Sequence, residues 1–446
     1  MAKDSVGEDE QFSEALKPVA ERLHLKAHSV QLDENVKSEG SLLVSKDSKG
    51  IRGSDGRQYL IDLYHSTPLD IEFAEKNWDG SETSYPHKET VMRHEAVEEW
   101  WKRKVSVLIK AETDRLDRET GTTESADGEK PRVVLPSDLV VVNPDAFANV
   151  GETDDEKSEV RELSRFITQQ LVPEFLSEIA TQISPFDGAH LARSLHNVGI
   201  NMRYLGHVVE AANQMIAEHK ATVEKKISGN LAAAEKAKAE AKAKAEAEAT
   251  KKEENAEGKS EKKTEEEGQA KTEEEASSES KFELAVANLT SLTRIAVHEM
   301  ISRAVKHIMR RAMKDIPEHL ASAYVAHYHN CLLALEISAT PVANVDPELA
   351  ELSSPDELLF TKLNASDVQQ EVAREVYIRF RYRLADDWIN TISKAQVLRE
   401  IALKFGIQWK ALDYVFTLAE FEDARLKLAA APVQADKKRS RKKLPP

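Results

Sequence analysis

The sequence predicts an α+β domain, then a charged flexible linker, then a mostly α-helical central domain. Three observations predict it: β-type patterning confined to the N-terminal part, a collapse of composition to Ala, Glu and Lys between Glu218 and Ser280, and a return of helical periodicity from Phe282. The expected limits are residues 1–217, 218–280 and 281–430, with residues 431–446 as a basic disordered tail.

The first element is an amphipathic helix from Phe12 to Val30, with Leu16, Val19, Ala20 and Leu23 at helical spacing and Pro18 near an element boundary. The period then changes. "SLLVS", from Ser41, and "RQYLIDLY", from Arg57, read as two strands around a turn in which Asp55-Gly56 tolerates positive φ, and Asp62 falls at the end of the second strand. "TPLD" opens a new element whose first turn Pro68 can occupy. His87 to Leu116 is a strong helix pattern, with Val91, Ala96, Trp100 and Val105 on its packed face. Trp100 and Trp101 cannot face the same way on a helix, so one of them covers a neighbouring element. "RVVLPSDLVVVNPDAF" returns to β-branched residues and ends in turn chemistry at Asn143-Pro144. A helical region follows, broken or started at Pro173. In "LHNVGINMRYLG", Gly199 ends one helix and Asn201 starts the next.

The Ala-rich half of the linker suits a solvated helix supported by i,i+4 charge pairs, whereas the Gly- and Ser-containing half has too little apolar surface to fold. Beyond it, "FELAVANLTSLTRIAVHEMISRAVKHIMRRAM", "HYHNCLLALEI" and "VAREVYIRFRYRL" are helical.

Of the 446 residues, 41% are hydrophobic, enough for two or three ordinary cores on a prior of roughly one domain per 150 residues. No basic stretch leads into an apolar run at the N-terminus, and no apolar stretch reaches the roughly 18 residues of a membrane span. Membrane insertion is therefore not expected. One cysteine, Cys331, cannot form an internal disulfide, and its apolar helical setting makes it a small hydrophobe rather than a nucleophile, despite His327 and His329 nearby. A reducing cytosol, and so a cytoplasmic location, fits best. The net charge of −16 means that any nucleic-acid contact must come from a local patch.

Such patches exist. Lys306, Arg310 and Arg311 in "KHIMRR", and Arg379, Arg381 and Arg383 in "RFRYR", interleave basic with apolar or aromatic residues, suited to RNA backbone and bases. Helix faces paired with acidic partners look the same. The tail residues Lys437, Lys438, Arg439, Arg441, Lys442 and Lys443 form a stronger positive run. "LREIALKFGIQWKALDYVF", from Leu398, matches a helix–turn–helix, but Asp413 and the acidic "AEFEDAR" would oppose phosphates, so a packed helical corner is the better reading.

Catalysis is poorly supported. A kinase-like site requires a phosphate-binding lysine, a catalytic-loop aspartate with a nearby asparagine, and a metal-binding aspartate followed by glycine. Only Asp62 partly answers, and Leu63-Tyr64 follow it. There is no P-loop, no Cys/His zinc spacing and no G-x-S-x-G elbow, so no catalytic, metal or cofactor residue is expected.

"IRGSDGRQYLIDLYHSTPLDIEF", "SYPHKETVMRHEAVEEWWKRK" and "LHNVGINMRYLG" resemble the Clu domain of the clustered mitochondria proteins in their fungal form, which are also described as associates of translation initiation factor three. "VHEMISRAVKHIMR", "HYHNCLLALEI", "RFRYRL" and "LREIALKFGIQWKALDYVF" resemble the region that follows it. The resemblance makes the first domain Clu-type and implies a non-enzymatic, mRNA-binding scaffold that keeps mitochondria distributed in the cytoplasm. Its implied partners are mRNA, often for mitochondrial proteins, the initiation factor and ribosomal complexes. Asp55, Gly56, Asp62, Gly199, Asn201 and Arg203 then belong to structural motifs. The resemblance also implies an N-terminal ubiquitin-like region and a tetratricopeptide array that are not part of this sequence, and His65 stands where arginines are common. Two alternatives remain at this point: a degenerate kinase-like nucleotide site around Asp62, and a pure protein scaffold on the initiation factor.

Overall fold

A hairpin pairs the residues that flank its turn, and this decides the first strands. The computed structural model describes residues 9–33, 36–37, 40–120, 136, 139–148, 154–251, 266–333 and 341–408. In it, β1 (Gln31–Asp33) pairs with β2 (Val36–Lys37), and β3 (Lys49–Arg52) pairs antiparallel with β4 (Gln58–Ile61), with Arg52 opposite Gln58. "SLLVS" is therefore not the partner strand: in it Leu42 makes a single bridge, to His28, because the Asp55-Gly56 turn recruits its immediate neighbours. Gly56 lies at φ +77°, and the Asp55 carboxylate accepts from Arg57 N and Tyr59 Oη.

Helices dominate the rest. α1 (Glu10–Arg22), capped by the Asp9 side chain, carries Pro18 inside it rather than at its edge, and stops where His24 turns to φ +55°. α2 (Ile71–Asn77) follows "TPLD". α3 (His94–Thr120) starts later than the periodicity predicts, since Val91 bridges Leu69 and Met92 N donates to Pro68 O. Trp100 is buried, while Trp101 stacks on His24 at 3.9 Å and donates to Val140 O. α4 (Asp154–Phe166) continues through a π-helical turn, Ile167–Leu171, into α5 (Val172–Thr181). Pro173 lacks the N–H that would continue the ladder, which gives the wider turn just before it a physical cause.

α6 (Gly188–Asn197) ends at Gly199, and the Asn201 side chain caps a short 3-10 turn that leads into α7 (Leu205–Lys251). α8 (Glu266–Ala312) begins within the stretch expected not to fold, and residues 252–265 lie outside the described residues. Leu205, Val208, Val209 and Ala212 of α7, and Ala285, Leu289, Leu292, Ala296 and Met300 of α8, are buried at helical spacing. They pair the two helices, with His219 meeting Phe282 at 5.7 Å. α9 (Ala321–Leu333), α10 (Pro347–Glu351), α11 (Ala365–Phe380), α12 (Trp388–Thr391) and α13 (Lys394–Phe405) complete the fold. α8 is the hub, in contact with α5, α6, α7, α11 and α13, and one continuous core runs from Ile71 to Ile401. A smaller core of Leu16, Ala20, Leu25 and Val44 sits under the β3–β4 hairpin. Among the described residues the chain is thus mostly helical, its strands limited to two short hairpins.

Two arginines join distant segments, Arg203 buried and Arg381 half-buried. The Asp70 carboxylate accepts from Arg203 Nη2 at 2.6 Å and Nε at 3.1 Å, from Tyr204 Oη at 2.8 Å and from the Ser164 hydroxyl. The Arg203 guanidinium lies 5.3 Å from the centre of the Phe73 ring. The second is Arg381, itself at φ +55°, which donates to Asn77 O and Thr83 O.

Three histidines make this core acid-sensitive. Burial holds His298 and His329 down to about 4, and burial with neighbouring cations holds His307 down to about 3. The unfolded imidazoles titrate near 6.5, so as pH falls below that value the unfolded chain takes up protons that the folded chain refuses. Stability is therefore full above pH ~6.5 and declines towards pH ~4. His329 by itself accounts for about 3 kcal/mol across that window. Urea midpoints measured from pH 7.5 to 4 are expected to fall steadily below 6.5, and His329→Phe should flatten the decline.

Candidate nucleic-acid interface

The spacing Arg303, Lys306, His307, Arg310 is i, i+3, i+4, i+7, one face of α8. That face meets the C-terminal end of α11, which adds Arg379, and α13, which adds Lys404. Two buried glutamates answer part of the charge: Glu299 pairs with Arg303 and with Lys404 at 2.6 Å each, and Glu400 pairs with Lys404 at 2.9 Å. The Glu299 carboxylate is seated against Gly188 at the start of α6, where a Cβ would come 1.9 Å from its Oε2, and where the helix N-terminus favours a negative charge. Glu375, also buried, binds Arg379 and Arg311.

The balance is positive. Five cations, Arg303, Lys306, Arg310, Arg379 and Lys404, face Glu299, Glu375 and Glu400. Among the described residues, Lys306 and Arg310 have no ion-pair partner. The Lys306 ammonium is held below the ordinary lysine range by burial and then by repulsion from Arg303, Arg310, Arg379 and Lys404. The depression of His307 has the same origin, burial first and then Arg379, Lys306, Arg310 and Arg303. A phosphate placed beside a half-buried cation among cations would relieve repulsion that the protein leaves in place.

The structure sorts the sequence-predicted contacts. Lys306, Arg310 and Arg379 converge. Arg311 turns to the other flank, toward Glu371 and Glu375. Arg381 is consumed by its two backbone acceptors, so it clasps the fold and does not face solvent as a free cation. Arg383 is exposed and sits 4.5 Å from the Tyr377 ring centre. Lys437, Lys438, Arg439, Arg441, Lys442 and Lys443 lie outside the described residues, as does the second helix of the helix–turn–helix pattern; the first is α13, ended by Gly406 at φ +76°. Arg303 and His307 were legible from the helical spacing. Lys404 was not, since nothing in its own segment marks it.

Asp62 stands between β4 and the 3-10 turn Leu63–Ser66. It adopts φ +61°, its carbonyl receives His65 N and Ser48 Oγ, and its side chain caps nothing. Cys331 is buried, its thiol pushed up to about 11 by burial and 3.7 Å from His327 Nε2. One group of side chains could hold a metal ion among the described residues: Asp47, His65 and Glu89. No helix among the described residues is long and apolar enough to cross a membrane.

Comparison with known proteins fits this organisation. The family model described as translation initiation factor eIF3 subunit 135 matches residues 182–416, more than half of the chain. The model described as Clustered mitochondria matches residues 1–73, which include both hairpins. A Clustered mitochondria protein homolog of Debaryomyces hansenii is 52% identical over 98% of this chain and 33% of its own length. The homolog of Candida albicans is 46% identical over 93% of this chain and 32% of its own. That of Aspergillus fumigatus is 29% identical over 94% and 29%. No solved structure matches.

Proposed function

Because the chain belongs to the clustered mitochondria protein family, spanning about a third of the length of the curated relatives it matches, we propose that it is a non-enzymatic, cytoplasmic scaffold acting in the distribution of mitochondria, one that contacts mRNA and the translation initiation machinery. The observation that carries the RNA reading is the unanswered charge of Lys306 and Arg310 beside Arg379. An RNA strand supplies phosphates at that face, and the half-buried setting of Lys306 makes its contact stronger than a fully hydrated one. The initiation-factor reading rests on the family that matches the helical part, and a protein partner would use apolar surface rather than this basic face.

The test is binding of a labelled single-stranded RNA across a salt series, followed by fluorescence anisotropy. Lys306→Ala with Arg310→Ala is expected to weaken binding and to reduce the slope of log affinity against log salt by about 1.4, two phosphate contacts at ~0.7 each. Unchanged affinity and slope would remove RNA from this face and leave the protein-scaffold reading, whose apolar interface is much less sensitive to salt.

A further inference from the structure

Asp47, His65 and Glu89 are far apart in sequence, yet one carboxylate oxygen of each acid and one ring nitrogen of the histidine all lie within 4.8 Å of one another. Three separately anchored segments bring them together. Asp47 sits in the turn after Val44, which belongs to the small core under the hairpin. His65 lies in the 3-10 turn Leu63–Ser66 that follows β4, and Ser48 Oγ ties these two turns by bonding Asp62 O and Ser66 Oγ. Glu89 precedes Val91 and Met92, which are fastened to Leu69 and Pro68, at the edge of the main core. The three side chains thus stand where the two cores meet.

Two carboxylates held this close repel one another, and among the described residues the cation that pairs with the set is Lys46. Its ammonium, half-buried, bonds both Asp47 oxygens at 3.1 Å. We infer that Asp47, His65 and Glu89 form a binding site for a divalent first-row metal ion, zinc or manganese, that clips the hairpin module to the helical body. The donor set selects the ion: an imidazole nitrogen disfavours calcium and magnesium, and nitrogen with two carboxylates suits zinc and manganese. Three donors around one ion at bonds of about 2.0–2.2 Å stand about 3–4 Å from one another, inside the 4.8 Å within which these atoms lie, so binding draws them inward. The ion must displace Lys46 from Asp47, a partly exposed pair of modest worth. Three protein donors leave positions for water, as in an open site.

The site predicts a titration result. The chain, stripped with a chelator and titrated with zinc chloride or manganese chloride in a calorimeter, is expected to show one saturable site that weakens roughly tenfold or more in His65→Ala and in Glu89→Gln. Lys46→Met should tighten it, because the competing ammonium is gone, while a purely structural role for these side chains predicts no such gain. Metal should also slow amide exchange in residues 45–48 and 63–66 of the unsubstituted chain. Equal zinc and manganese binding by the unsubstituted chain and His65→Ala, both with native circular dichroism, would overturn the site and place any bound metal on other histidines.

Discussion

Asp70→Ala is expected to destabilise the chain by about 3–5 kcal/mol, because it leaves the Arg203 guanidinium buried without its counter-charge. Arg203 is 6% exposed and Asp70 fully buried, so water cannot replace the lost carboxylate. Tyr204 Oη and the Ser164 hydroxyl lose their acceptor in the same step. The remaining tie of Arg203, Nη2 to Val91 O at 2.9 Å, satisfies one donor of five and none of the charge. Removing both charges is a different perturbation. Asp70→Ala combined with Arg203→Met should recover part of the loss, since an apolar side chain of similar length restores packing against Phe73 without a desolvated ion. Urea midpoints of the two single variants and the double variant measure the coupling. A loss below about 1 kcal/mol for Asp70→Ala would show that the pair contributes little net stability. The burial of Tyr204, whose hydroxyl is held well above its ordinary range by desolvation and then by Asp70, points the other way.

The second large effect is expected at Gly199, and it separates two reasons for a glycine. Gly199 lies at φ +85°, and a Cβ there would stand 2.3 Å from Ala96 N and 2.5 Å from its Cα, both rigid backbone of α3. Gly56 has nearly the same conformation, φ +77°, with nothing within 4 Å of the position its Cβ would take. Gly56→Ala should therefore cost only the left-handed conformation, about 1–2 kcal/mol. Gly199→Ala adds the collision of α3 with the end of α6 and should exceed it by roughly 2 kcal/mol or more. The difference between the two urea midpoints isolates the collision. Equal losses would mean that α3 moves aside freely, contrary to the burial of Ala96 and Trp100.

The structure also corrects two sequence expectations for the same reason. β3 was sought in "SLLVS", and the start of α3 was placed at His87. Both segments have the right local character, and in both the chain is diverted by a partner elsewhere. Leu42 is claimed by His28, and Val91 by Leu69. The run from Glu266 shows the converse. Its first residues have little apolar content of their own, yet α8 extends through them into the helix whose buried face, from Ala285 onward, packs on α7.

What the sequence determined by itself was local. It determined the Asp55-Gly56 turn, the helical periods of α3, α8 and α11, the stop at Gly199 with its Asn201 cap, and the alternation of basic and apolar residues around Lys306 and Arg379. These are properties of dihedral preference and side-chain period, which act over a few residues. The tertiary structure decided the pairings. It gave Asp70 to Arg203 across 133 residues, assigned Arg381 to two carbonyls while leaving Lys306 without a counter-ion among the described residues, and brought Asp47, His65 and Glu89 to one point. The reason is physical: the worth of a charge is set by what surrounds it once water is excluded, and the residues that exclude the water come from segments whose own sequence says nothing about one another.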